Sequence, residues 1–148
     1  MTRITQTLLG GLMAATLTLG LVATAAPPPH AAPVTLTFEK CVADAAIGLF
    51  IGTVDGECGP GTVVYETIVL APTPAGVRLE GLYHITTATC SFTAHCSGLA
   101  NTHNNVIVLN GEVIAGAADF AGTQVQVRAE LLNGGACSAG TITLTPRN

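Results

Sequence analysis

The chain has 148 residues, of which 49% are hydrophobic and only 9% charged, and it carries a formal net charge of -4. Its five Lys and Arg residues stand singly, so they cannot neutralise a run of phosphates, which makes nucleic acid and an anionic membrane surface poor partners. Many hydroxyl and small residues with no Trp describe instead a surface made polar without charge.

The first segment reads as a secretory signal peptide over residues 1–25. Arg3 precedes an apolar run at 8–25, and Ala23, Thr24 and Ala25 supply a small-x-small cleavage site. Cutting after Ala26 or Ala32 would leave proline in the next position, which favours cleavage after Ala25. A retained anchor is the competing reading, because the run is almost long enough to span a bilayer. The cleavage site and Pro27, Pro28 and Pro29 argue for cutting. A secreted product, extracellular or periplasmic, is therefore expected, with no membrane attachment after cleavage. Residues 26–33 form a Pro/Ala-rich flexible leader, and 34–146 a single domain.

From Val34 the pattern has period two: Val34, Leu36 and Phe38 alternate with Thr35, Thr37 and Glu39, the mark of a half-buried strand. Residues 46–54 are apolar on both faces and read as a central strand bent at Gly48 or Gly52. Turn formers at 55–61 precede strand 62–70, and 71–76 turns the chain again. Strand 77–85 puts Val77, Leu79, Gly81, Tyr83 and Ile85 on a core face, with Arg78, Glu80, Leu82 and His84 on the other. Residues 97–105 read as a polar loop before strand 105–114. Strand 124–131 is amphipathic, a glycine loop follows at 133–135, and 141–145 is the last strand. Gly-Thr pairs at 61, 122 and 140 recur before alternating runs. These signals predict an all-β antiparallel meander of about eight strands forming a small barrel, with a two-sheet β-sandwich as the alternative.

Export places Cys41, Cys58, Cys90, Cys96 and Cys137 in an oxidising space where disulfides form. Five is odd, so one thiol stays free or links two molecules as a dimer. Cys90 and Cys96 are close enough in the chain to staple one turn, which makes them the first pair expected. The more distant Cys41, Cys58 and Cys137 would constrain the unfolded chain more.

No compact catalytic motif stands out. Residues 56–60, GECGP, resemble the nucleophile turn of chymotrypsin-like cysteine proteases, yet those enzymes place base and acid before the nucleophile, and here the only histidine before Cys58 is His30, in the leader. Ser138 has no complete G-x-S-x-G turn around it and reads as a hairpin residue. His84, His95 and His103 beside Cys90 or Cys96 are metal-ligand types at spacings that match no metal motif, so neither metal nor cofactor is expected. Glu66, Glu80, Glu112 and Glu130 could pair as glycosidase carboxylates, but they are ordinary solubilising strand residues without aromatics to stack on sugars.

The expectation is a secreted, non-catalytic β-domain, structural or binding a small-molecule or carbohydrate-like ligand through loops at one rim. Its contacts would be Tyr83, His84, His95, Asn101, His103, Asn104 and Asn105, because binding on a β-scaffold concentrates in loops. The alternative is a small extracellular barrel-type enzyme, an isomerase, cyclase or hydrolase, combining Tyr65 or Tyr83 with Glu66 or Glu80 and a histidine as acid and base.

Overall fold

A computed structural model describes residues 32–147, so the signal-peptide reading at 1–25 and most of the leader lie outside the described residues. Eight strands follow in order: β1 (Val34–Asp44), β2 (Leu49–Gly56), β3 (Gly61–Thr73), β4 (Gly76–Thr87), β5 (Phe92–Asn101), β6 (Val106–Gly116), β7 (Gln124–Leu132) and β8 (Cys137–Thr145). Each pairs antiparallel with its sequence neighbour, and β8 returns to β1 to close the barrel. The seam runs from Val34 opposite Leu144 to Cys41 opposite Cys137. The fold is the all-β meander barrel, and closure leaves no sheet edge in need of cover.

Alternation determines which side chains enter. Leu36 and Phe38 on β1, Val63 and Tyr65 on β3, Tyr83 and Ile85 on β4, Val125 and Val127 on β7, and Ile142 and Leu144 on β8 are all buried. In an eight-stranded barrel such side chains fill the interior or leave room for one small ligand. Gly81 makes a particular packing choice: a Cβ there would lie 2.6 Å from the ring of Tyr65, so only glycine lets that ring lie across β4.

Several boundaries differ from the sequence reading, each for a local reason. The apolar stretch at 46–54 begins as a turn, with Gly48 at φ 64, and pairs only from Leu49. The polar run 97–105 is mostly strand, since Ser97 to Ala100 pair with both β4 and β6 and Asn101 with β6, and only 102–105 turn. Ser138 lies inside β8 rather than in a hairpin loop, and its side chain is buried.

The first-expected bridge, Cys90 to Cys96, does not form. From Phe92 to Cys96 the chain is extended at about 3.3 Å per residue, about 13 Å over four steps, whereas a disulfide needs Cα atoms within about 7 Å. Cys90 instead pairs with Cys58, Cys41 pairs with Cys137, and Cys96 is a buried free thiol. With no exposed surface, Cys96 cannot link two molecules unless the barrel opens.

The two ends of the tube differ. One end gathers the 57–60, 88–91 and 117–123 connections, bound together by Cys58–Cys90. Thr89 Oγ1 donates to the carbonyl of Cys58 at 2.9 Å, and Thr87 Oγ1 to that of Cys90 at 3.0 Å. Phe92 and Phe120 stack beneath, centroids 5.9 Å apart. The other end gathers the 45–48, 74–75, 102–105 and 133–136 connections, and it is open. Among the described residues, no helix is long and apolar enough to cross a membrane.

Candidate functional site

The chain contains one lysine, Lys40. It continues the inward alternation of Leu36 and Phe38 on β1 and is only 4% exposed, so its side chain lies inside the barrel near the open end. Its Nζ stands 4.6 Å from the ring centroids of Phe50 and Tyr65, 5.6 Å from Tyr83 and 5.8 Å from Phe38. Ring faces attract a cation by up to about 2 kcal/mol where water is excluded. Among the described residues no carboxylate pairs with it.

Burial lowers the Lys40 pKa from 10.5 to about 8. That drop is a penalty of about 3 kcal/mol on the charged form. The ring faces act against this penalty, since they favour the charged form. Near neutral pH the amine still carries its proton, so the interior holds a cation without a counter-ion.

Two hydroxyls share its surroundings. Ser138 stands directly opposite Lys40 across the β1–β8 seam, and its Oγ is buried with no hydrogen-bond partner. Tyr65 Oη is likewise buried without one. Burial pushes the Tyr65 pKa up to about 12, and Cys96 adds to the rise. Thr67 opposes it, but the Thr67 hydroxyl gives its proton to the carbonyl of Gly48 at 2.8 Å and does not reach hydrogen-bond geometry with the phenol. Unpaired buried hydroxyls cost about 1–3 kcal/mol each. An ammonium without a carboxylate partner and two partnerless hydroxyls, those of Tyr65 and Ser138, thus share one apolar chamber.

All three line a cavity of about 250 Å³ whose remaining wall is largely aliphatic, including Leu70, Leu79 and Ile107. An engineered apolar cavity of about 150 Å³ accepts benzene, so this one admits a somewhat larger molecule. A wider hollow of about 400 Å³ on the outside of β1 and β2, bordered by Thr37, Glu39, Thr53 and Asp55, lies open to solvent and gathers no such group. Around the open end the barrel exposes Ile47 and Leu70, 65% and 64% accessible, together with Val42, Ile51, Ile68 and Val106. A bulge between Thr67 and Val69 resets the alternation of β3 so that Leu70 stands opposite Leu79 at the cavity mouth.

The residues expected from the sequence divide among three places. Tyr83 is inside the barrel but does not line the chamber; it packs behind Tyr65, ring centroids 4.7 Å apart. His84 and His95 are on the outer face: His95 Nε2 meets Glu80 at 3.0 Å, and His84 Nδ1 meets Thr93 Oγ1 at 3.1 Å with Glu66 3.7 Å from its other nitrogen. Asn101, His103, Asn104 and Asn105 form the β5–β6 tip at the open end, where Thr102 lines the cavity. Asn101 Oδ1 accepts from the His103 amide at 2.9 Å, and Asn104 Oδ1 from the Val106 amide at 3.1 Å. Those side chains are committed to shaping the turn.

The acid-base combination drawn from the sequence is split by the barrel wall. Tyr65 and Tyr83 point inward, while Glu66, Glu80, His84 and His95 point outward, because neighbours along a strand face opposite sides. Among the described residues no three His, Cys, Asp or Glu side chains stand together as a metal site. Burial raises the Cys96 thiol to about 12, so it is not a reactive thiolate. Sequence reasoning missed Lys40 and Ser138, though the signal was present: extending the period-two register one step beyond Phe38 turns Lys40 inward. No protein-family model and no curated protein matches the chain.

Proposed function

We propose that this protein is an exported, non-catalytic binding barrel that takes up one small, mainly apolar molecule through its open end. The observation that carries the reading is the 250 Å³ chamber reached from an apolar rim and lined by partnerless polar groups. Ligand sites combine apolar walls with a few convergent polar groups in this way, and barrel mouths are a preferred place for them. The β5–β6 tip expected to touch ligand stands at that same end, so Thr102, Asn101 and His103 to Asn105 would border the entrance. His84 and His95 would not touch it. Two disulfides support an oxidising compartment and hence export.

The test is uptake of an environment-sensitive apolar dye by the native protein and by Ala100→Phe, which places a ring in the chamber. A bound ligand at a hundred times its Kd adds about 2.7 kcal/mol of stability, a rise in Tm of roughly 10 °C for a domain of this size. The native protein should show dye uptake and this thermal shift, and Ala100→Phe should lose both. Equal uptake by the two proteins would refute the chamber as the binding site.

A further inference from the structure

We propose that the ligand carries a carboxylate, and that this head sits at Lys40, Tyr65 and Ser138 with its apolar body directed toward the mouth. The inference rests on the binding reading above and adds the chemistry of the bound molecule. Lysine ammonium only donates hydrogen bonds, so the partner it lacks is an acceptor, and a buried cation without a counter-ion selects an anionic one. Tyr65 Oη and Ser138 Oγ add two more donors without partners in the same chamber. A carboxylate has two oxygens and about four acceptor sites, enough to take all three donors at once. An alcohol or an ester would answer the hydroxyls and leave the ammonium charge unmatched.

The surrounding walls narrow the choice further. The chamber offers no second cation and no acidic side chain among the described residues, so it fits one negative charge on an otherwise apolar molecule. Phosphate esters and dicarboxylates carry more charge than Lys40 can balance. The volume excludes long lipids from full enclosure, since it exceeds a benzene-sized cavity by less than twofold. A short monocarboxylate, aliphatic or aromatic, satisfies both limits.

Octanoate, methyl octanoate and octanol are suitable probes, titrated calorimetrically into the intact native protein. A hydrogen bond to a charged group should make octanoate about 10- to 100-fold tighter than the ester or the alcohol. Lys40→Met should erase that preference while leaving ester binding in place. Tyr65→Phe and Ser138→Ala should each weaken octanoate about fivefold. Because Lys40 is the chain's one lysine, its side-chain nitrogen can be followed by NMR without ambiguity, and octanoate should raise its pKa. Should Lys40→Met fail to fold, Lys40→Gln and this titration of the native protein carry the same test.

Equal binding of octanoate and its ester, unaffected at Lys40→Met, would overturn the head assignment and leave the binding barrel standing. Failure of all three probes together with the dye would overturn the barrel reading itself. Octanal trapped on Lys40 by borohydride, in the absence of any octanoate preference, would also overturn the proposal, since it would identify the amine as a carbonyl-capturing nucleophile.

Discussion

At the end of the barrel closed by Cys58–Cys90, Phe92, Val113, Phe120 and Leu144 fill the interior and threonine hydroxyls tie the loops to the bridge. At the opposite end the interior holds an ammonium ion, two unpaired hydroxyls and empty volume behind an apolar rim. Both ends must plug a tube of the same eight strands, and only one does it in the way that maximises stability. Filling the open end with leucine or phenylalanine would have required no unusual geometry, as the other end demonstrates. The contrast teaches that the closed end is packed for stability, while the open end, though bridged by Cys41–Cys137, keeps groups whose cost has no structural return. Among the described residues, two of the three buried side-chain atoms without a hydrogen-bond partner, Tyr65 Oη and Ser138 Oγ, line this one cavity, the third being His84 Nε2 on the outer wall, and such convergence is the signature expected of a binding site.

The largest test removes the bridges. Cys41–Cys137 closes a chain separation of 96 residues across the β1–β8 seam, and Cys58–Cys90 one of 32 residues. On the chain-entropy relation their loss should cost about 4.7 and about 3.7 kcal/mol respectively. Urea unfolding of the two double-alanine variants should rank them in that order. A reversed order would place the stability of the molecule at the loop-capped end rather than in the seam. Next in size, Phe92→Ala hollows the closed end and should destabilise by about 3–5 kcal/mol, read from the same urea midpoints.

Lys40→Met is the converse. It replaces a buried, unpaired cation by an apolar side chain of similar length, and removing the desolvation penalty should stabilise by up to about 3 kcal/mol. A higher urea midpoint than native at pH 7, alongside the loss at Phe92→Ala, would establish the opposition between the ends. A loss of stability at Lys40→Met would mean that the aromatic faces hold the cation more tightly than water does, and the contrast would collapse.

Much of the architecture was legible from the chain. Period-two alternation such as Val125, Val127 and Ala129 against Gln124, Gln126 and Arg128 specifies strands with one wet face, and short sequential connections make a meander. Bulges were not legible, because the shift at Ile68 comes from pairing with β4 and leaves no mark in composition. Nor was the strand at Ser97 and Gly98, whose polar and small residues read as a turn; a Cβ on Gly98 would lie 2.1 Å from the carbonyl oxygen of Val108 on β6, so close strand approach rather than a loop explains the glycine. Cysteine pairing needed the barrel, since Cys58 and Cys90 meet only where two connections converge at one end. The polar tip stands at the same end of the barrel as the chamber. The decisive group was hidden because a lysine counted only as charge carries no indication of which way it faces.

The smallest effect is a pH dependence that separates the two interiors. Lys40 is depressed to about 8 when folded from 10.5 when unfolded. Between those values the unfolded chain therefore binds more protons, and stability rises with pH. The gain from Lys40 should be about 1 kcal/mol between pH 7.5 and 9. Cys96, raised from 9.0 to about 12, acts in the opposite sense, because above pH 9 the unfolded thiol loses its proton while the buried one keeps it. Tyr65, raised from 10.0 to about 12, and Tyr83, raised well above 10.0, add to that loss above pH 10. Urea midpoints against pH should thus climb from 7.5, flatten between 9 and 10, and fall beyond. In Lys40→Met the climbing limb should vanish and the fall remain, since the thiol and both phenols are untouched. A carboxylate ligand should reverse the first limb, making the protein most stable where the ammonium is fully charged, below pH 8. If the native protein shows no climb, the cation of the open end is already satisfied, and the argument for an anionic guest loses its electrostatic ground.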